Sequence, residues 1–288
     1  MKKIFRMIVY ICMLSGIFIY FEKNYHILEI VGMKSMSEEE NQSFVEEVRK
    51  AMIDGREEVK LRYKGSEDTL EAYLVSALDQ AFAIDYSNTS DDYDYLRYKL
   101  IGTHMDMKGI GGSYQVTFHF DYLESKEETE QVNKKIKQVL KEMEIENLGQ
   151  YQRAKVIHDY IIDHCTYDMT INRNSAYAAL IEGSSVCQGY AQLTYKMMTE
   201  ADVPCRIVTG TADGQPHAWN IVKMGKYWYN VDCTWDDPIG GDGRSQNRYD
   251  YFLKSNKNFS KHIRDSEFDT QEFNLEYPMD RAAYNPSE

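Results

Sequence analysis

The stretch from His217 to Asp232, HAWNIVKMGKYWYNVD, constrains the fold of this chain more than any other. Two runs rich in β-branched and aromatic residues flank Met224-Gly225, a pair that reads as a two-residue hairpin loop. With that loop, Lys223 faces Lys226, and counting outward along both strands brings His217 directly opposite Asp232. Directly opposed residues share a sheet face and lie within side-chain reach. A histidine held by an aspartate is the orienting half of a nucleophilic triad. One residue of slip would send Asp232 to the opposite face. A two-residue slip would set Asn230 against His217, a Cys-His-Asn arrangement that also serves thiol enzymes.

The matching nucleophile is Cys187, in GSSVCQGYA. Ser185 reads as an N-cap, and Tyr190, Ala191, Thr194, Met197 and Met198 follow with helical spacing. Cys187 is thus expected at the second helical position, facing the positive end of the helix dipole. A thiol placed there, near an imidazolium, loses its proton at neutral pH. A lone cysteine is more often a small buried residue, but this cap position and the His/Asp hairpin together favour catalysis.

These residues resemble the core of the transglutaminase-like superfamily, whose fold is papain-like, in a bacterial, membrane-anchored form. The resemblance rests on Cys187-Gln188-Gly189-Tyr190-Ala191, His217-Ala218-Trp219-Asn220 and the block from Asp232 to Pro238, and it runs from about Asn174 to Pro238. It implies an α+β catalytic domain in which a helix-borne cysteine packs on an antiparallel sheet. It also implies Cys187 as nucleophile, His217 as general base and acid, and Asp232 as the group that orients His217. Trp219 and Trp235 match the motif and are expected in the core. No counterpart of the calcium-binding insertions of animal transglutaminases is visible. Asp236, Asp237 and Asp242 lack EF-hand spacing and read as a solvated loop, so neither a metal nor a cofactor is expected.

The N-terminus carries the second strong signal. Lys2, Lys3 and Arg6 precede an uncharged run from Met7 to Phe21, which Ile4 and Phe5 extend. Ile17, Phe18, Ile19, Tyr20 and Phe21 are all bulky, unlike a cleavage site. Residues 4–21 are therefore expected to be a membrane signal anchor, with the remainder outside the cytoplasm at the cell surface. The alternatives are a cleaved signal peptide, giving a secreted protein, and a buried helix. A formal charge of −13 over 288 residues argues against nucleic acid as a partner. Cys12, Cys165, Cys187, Cys205 and Cys233 show no C-x-x-C pair, so neither zinc nor a redox motif is indicated. An oxidising compartment would permit a disulfide among Cys165, Cys205 and Cys233.

Three regions follow: anchor and linker over 1–32, a small α+β domain over 33–147, and the catalytic domain over 148–288. Ser37 with Glu40, and Ser125 with Glu128, form capping boxes that open helices. Strands are expected over Val59–Tyr63, Tyr95–Ile101 and Val116–Tyr122, and a helix over Asp68–Ala83. In the catalytic half, Ile157, Ile161 and His164 share a helical face, so His164 is expected in the core and His158 on a solvated face. His104, His119 and His262 are isolated and receive only a structural reading.

Together these features predict thiol-dependent acyl transfer on protein or peptide amides, cell-wall peptide included, ending in transamidation or hydrolysis outside the cytoplasm. An oxyanion donor is needed, and the Cys187 backbone N–H is one candidate. The competing prediction is a membrane-tethered module that binds peptide or cell wall without catalysis.

Overall fold

The computed structural model describes residues 5–7, 36–86, 89–237 and 248–286. The chain divides into two compact units, one holding residues up to 87 and 91–123, the other 88–90 and 124–288. The boundary follows Leu123, not Asn147, so the helix opened by Ser125 groups with the second unit.

In the first unit, β1 (Phe5–Met7), β2 (Glu58–Lys64), β3 (Leu100–Ile110) and β4 (Ser113–Tyr122) form an antiparallel sheet of order β1-β3-β4-β2. A short strand at Phe5–Met7 departs from the helix that an anchor would need there; the rest of the expected anchor over 4–21 lies outside the described residues. Among the described residues, no helix is long and apolar enough to cross a membrane. Helix α1 (Glu38–Ile53) starts at the expected capping box, where the Glu40 N–H donates to Ser37 Oγ and the Ser37 N–H donates to the Glu40 carboxylate. Phe44, Val45, Val48 and Met52 turn its apolar stripe inward, against α2 (Glu67–Ala83) and the Val116, Phe118 and Phe120 face of β4. Residues Tyr93–Tyr98 form helix α3, not the start of a strand. Strand β3 is correspondingly displaced towards the C-terminus and turns into β4 through Gly111-Gly112, at φ 64° and 83°. Positive φ at both loop positions is what a two-residue I′ hairpin requires.

In the second unit, α4 (Lys126–Glu142) begins at the Ser125 capping box, again with both reciprocal hydrogen bonds. Helix α5 (Gln150–His164) follows. Its buried stripe contains Ala154, Ile157, His158, Ile161 and Ile162, so the expectation for its two histidines is reversed: His158 is in the core and His164 is exposed. A short parallel pair, β5 (Thr166–Tyr167) and β6 (Ser184–Ser185), leads into α6 (Cys187–Glu200). Strands β7 (Cys205–Ala212), β8 (Gln215–Met224), β9 (Tyr227–Val231) and β10 (His262–Arg264) make an antiparallel sheet of order β10-β7-β8-β9. Helix α6 packs on β7 and β8 and is buried at every position from Gly189 to Met198.

Such enclosure requires every polar group on α6 to find a partner. Gln192 Oε1 accepts from the Ala176 N–H, the Thr194 hydroxyl donates to Cys233 Sγ, and Lys196 Nζ donates to the Ser90 carbonyl. From the sheet, Asn220 Nδ2 donates to the Ala191 carbonyl at 3.0 Å, tying β8 to the helix.

Candidate active site

Cys187 is the first residue of α6, behind an N-cap at Val186, one position earlier in the helix than expected. Ser185 does not cap the helix; its hydroxyl donates to the Arg173 carbonyl. The displacement leaves the thiol closer to the helix end, in the first turn, where N–H groups lack intrahelical acceptors. The third helical position must be glycine, because a Cβ on Gly189 would meet the Ser185 hydroxyl and come within 2.5 Å of the Ser175 carbonyl.

The hairpin loop is Gly225-Lys226 rather than Met224-Gly225, with Met224 paired to Tyr227. Gly225 has φ 61°, as a II′ loop demands of its first position, and buried Met224 joins the ladder. This moves the register by two residues, and the last β8–β9 pair is Asn220 with Val231. His217 and Asp232 are therefore diagonal neighbours instead of direct opposites. A shift of two preserves the side-chain face, and the two side chains still meet, His217 Nε2 to Asp232 Oδ2, at 2.8 Å. Asn230 pairs with Ile221, and its side-chain oxygen accepts from Trp219 Nε1 and from Arg264, so the Cys-His-Asn alternative does not form.

Asp232 leaves the end of β9 and caps α7 (Cys233–Asp236), dividing its two oxygens between tasks. Oδ1 accepts from the Thr234 and Trp235 N–H groups at 3.0 and 3.2 Å. Oδ2 accepts from His217 and also from His262 Nε2 at 2.8 Å. Four donors on a buried carboxylate fill the acceptor sites it has. Burial opposes its charge, but the two histidines outweigh it, and Asp232 stays ionised far below the usual carboxylate range.

His217 uses Nε2 for Asp232, and its ring also interacts with the Cys187 thiol. Burial works against a charged imidazole here; the Asp232 charge and hydrogen bond, with the thiol, more than offset it and raise the pKa to about 10. For Cys187, burial favours the neutral thiol, yet the His217 hydrogen bond and charge, helped by the Ala218 N–H, hold the pKa below that of an ordinary thiol. The two shifts describe one thiolate–imidazolium pair. Cys187 remains partly exposed, whereas Cys165, Cys205 and Cys233 are buried. Burial pushes the Cys165 thiol up to about 12 and the Cys233 thiol well above its ordinary value. All four are unpaired thiols.

Trp219 and Trp235 are buried, as expected, and both stand against His217, at ring-centroid distances of 6.1 and 5.9 Å. Asp236 and Asp237 are not solvated but buried: Asp236 Oδ2 meets His158 Nε2 at 3.0 Å, and Asp237 Oδ2 accepts from the Tyr190 hydroxyl at 2.6 Å. Asp242 lies outside the described residues. His217, Asp232 and His262 also bring three metal-ligand-type atoms within 4.8 Å of one another. Hydrogen bonds from both imidazoles to a single carboxylate oxygen account for that closeness without an ion. His262 was invisible as a site residue in the sequence, since it lies thirty residues beyond Asp232 in a three-residue strand.

Residues 125–233 match the model of the transglutaminase-like superfamily, starting one residue after the second unit's main segment begins at Glu124. This segment is a transglutaminase-like domain. No curated protein matches the chain. Among solved structures, a candidate cysteine protease from Cytophaga hutchinsonii is similar at 16% identity and a TM-score of 0.32, over 47% of this chain and 65% of that one. A TGase structure is similar at 14% identity and a TM-score of 0.36, over 73% of this chain and 56% of that one. The chain thus spans less than two thirds of either solved protein. Likenesses this weak assign it no activity.

Proposed function

We propose that the transglutaminase-like domain catalyses acyl transfer from peptide or protein carboxamides through Cys187, His217 and Asp232. The observation that carries this reading is a partly exposed thiol at a helix start, beside an imidazole that is fixed by Nε2 on a buried carboxylate. The Cys187 thiolate attacks the amide carbonyl while the first-turn Cys187 N–H steadies the developing oxyanion. The His217 imidazolium protonates the departing amine, the C–N bond breaks, and a thioester remains on Cys187. Neutral His217 then takes a proton from an incoming amine or water, which attacks the thioester and releases the thiolate. An amine acceptor gives transamidation and water gives hydrolysis.

The N-terminal charge pattern favours exposed surface peptides, cell-wall peptide included, as substrates; protease accessibility of the domain in intact cells tests that location. The chemistry is tested by incubating the full chain with a peptide-carboxamide library and a fluorescent primary amine. Ammonia release or amine incorporation is expected, along with a thioester adduct that maps to Cys187. Cys187→Ala should abolish all three. Unchanged turnover in Cys187→Ala would sink the proposal, and peptide binding without turnover in the native chain would favour a non-catalytic binding module.

A further inference from the structure

His262 sits where the proposed reaction has no role for it, yet its contacts are those of a functional group. The ring arrives from edge strand β10, whose partner β7 contributes only Gly210 and Ala212 opposite Arg264 and His262. Its side chain is 1% exposed and enclosed by Phe259, Trp235 and Trp219, at ring-centroid distances of 3.8, 4.5 and 5.1 Å. Within that enclosure it makes one polar contact, Nε2 to Asp232 Oδ2 at 2.8 Å, and its Nδ1 has no partner. An ionised carboxylate only accepts, so both His217 and His262 must present N–H to the same oxygen.

We propose that His262 is a positioning residue that shares Asp232 Oδ2 with His217 and so weakens the carboxylate's hold on the His217 proton. This rests on the assignment of Cys187, His217 and Asp232 to acyl transfer. Oδ1 is already fixed by the two N–H groups of α7, so Asp232 does not need His262 to hold its place. What His262 supplies is competition. A carboxylate oxygen that accepts a second N–H is a weaker partner for the first, and His217 must release its proton to the leaving amine and later regain one. The ring is suited to a neutral, permanent donor. Burial disfavours its cation, outweighing the Asp232 charge, so it stays uncharged while His217 carries the proton. The charged and titratable groups around it are Asp232, His217, Asp213 and the phenol of Tyr251.

The test is a titration of His217 by NMR in histidine-labelled full chain, paired with ester turnover, in the native protein, His262→Leu and His262→Gln. Glutamine can place an amide N–H where Nε2 stands; leucine cannot. His262→Leu is expected to raise the His217 titration by about one pH unit, a tenfold gain in proton affinity. Alkylation of Cys187 at neutral pH should persist while deacylation of an activated ester slows about tenfold, so that kcat and KM fall together. His262→Gln should restore both. A His217 titration that is the same in all three proteins overturns the proposal, as does a glutamine variant shifted as far as the leucine one. A merely structural histidine would lose alkylation and turnover together. Because the titration needs no substrate, it decides the role of His262 even if the chain proves to have no transferase or hydrolase activity.

Discussion

Replacing Asp232 with asparagine should close the pH window in which Cys187 is a nucleophile. Opposite charges ~4 Å apart at an effective dielectric of ~20 attract by ~4 kcal/mol. At ~1.4 kcal/mol per pH unit that is about three units, which matches a His217 raised from 6.5 to about 10. The sign follows from which form is favoured. A raised histidine keeps its proton until the pH climbs through about 10, and a lowered cysteine gives up its proton below the ordinary thiol range. Between those limits the pair is thiolate and imidazolium. In Asp232→Asn the attraction is gone while the burial remains, so His217 should titrate at or below 6.5. Cys187, without a cation and still buried, should then rise towards or above 9. A thiol titrating at about 9 is only about 3% thiolate at pH 7.5, so the native fraction should fall, by at most about 30-fold at that value. Asparagine keeps an oxygen for the Thr234 and Trp235 N–H groups, so α7 should stay capped and the protein folded. The assay is the iodoacetamide rate at Cys187 by peptide mass mapping from pH 5 to 11, with the buried cysteines as internal references and a thermal melt as the folding control. An unchanged rate profile in a folded Asp232→Asn protein would refute the reasoning.

Gly189→Ala should be destabilising by about 1–3 kcal/mol through overpacking, because its Cβ meets the Ser185 hydroxyl and the Ser175 carbonyl. Alkylation of Cys187 should slow with it, and a melting temperature within error of the native one would show that α6 can shift freely. His158→Leu removes the imidazole partner of a buried Asp236, leaving it, among the described residues, only the Tyr251 N–H, and should cost roughly 3–5 kcal/mol. Burial, against the pull of His158, already raises Asp236 to about 6. Losing His158 raises it further, and ionisation in the unfolded chain then penalises folding as the pH rises. His158, its own pKa raised, contributes its stability at low pH, and the substitution withdraws it there, so the loss should appear at pH 5 and at pH 8 alike; urea unfolding with no loss at either pH would contradict the pairing.

Local chemistry made much of this fold readable in the sequence. Both capping boxes, Ser37/Glu40 and Ser125/Glu128, occur where three-residue spacing places them. Cys187, His217 and Asp232 come together because side-chain faces survive a two-residue register shift, even though the loop falls one residue later than Met224-Gly225 suggests. The exact register depended on whether Met224 or Lys226 joined Gly225 in the turn, and burial of Met224 decided it. Tyr93–Tyr98 carries the aromatic signature of a strand, but it folds as a helix with Tyr95, Leu96 and Tyr98 buried, so packing overrode propensity. His158, not His164, is in the core because the apolar stripe of α5 runs through Ala154, Ile157, Ile161 and Ile162, which centres it near 158. His262 lay beyond local reasoning altogether. A three-residue strand has too little pattern to announce itself, and only the completed sheet shows that its first residue reaches the carboxylate.

The enclosure of α6 carries a consequence for control. A helix surrounded over ten consecutive positions cannot turn or slide without opening the core around it. Cys187 is therefore a fixed post, and switching must come from what approaches it: the β8–β9 hairpin, the α7 cap, or the turn from Asp168 to Arg173, which bonds to both sides of Ser185. A small molecule that silences such a thiol without touching sulfur would do so by lifting the imidazole away from it. Libraries aimed at this protein are better judged by whether His217 moves than by whether Cys187 does.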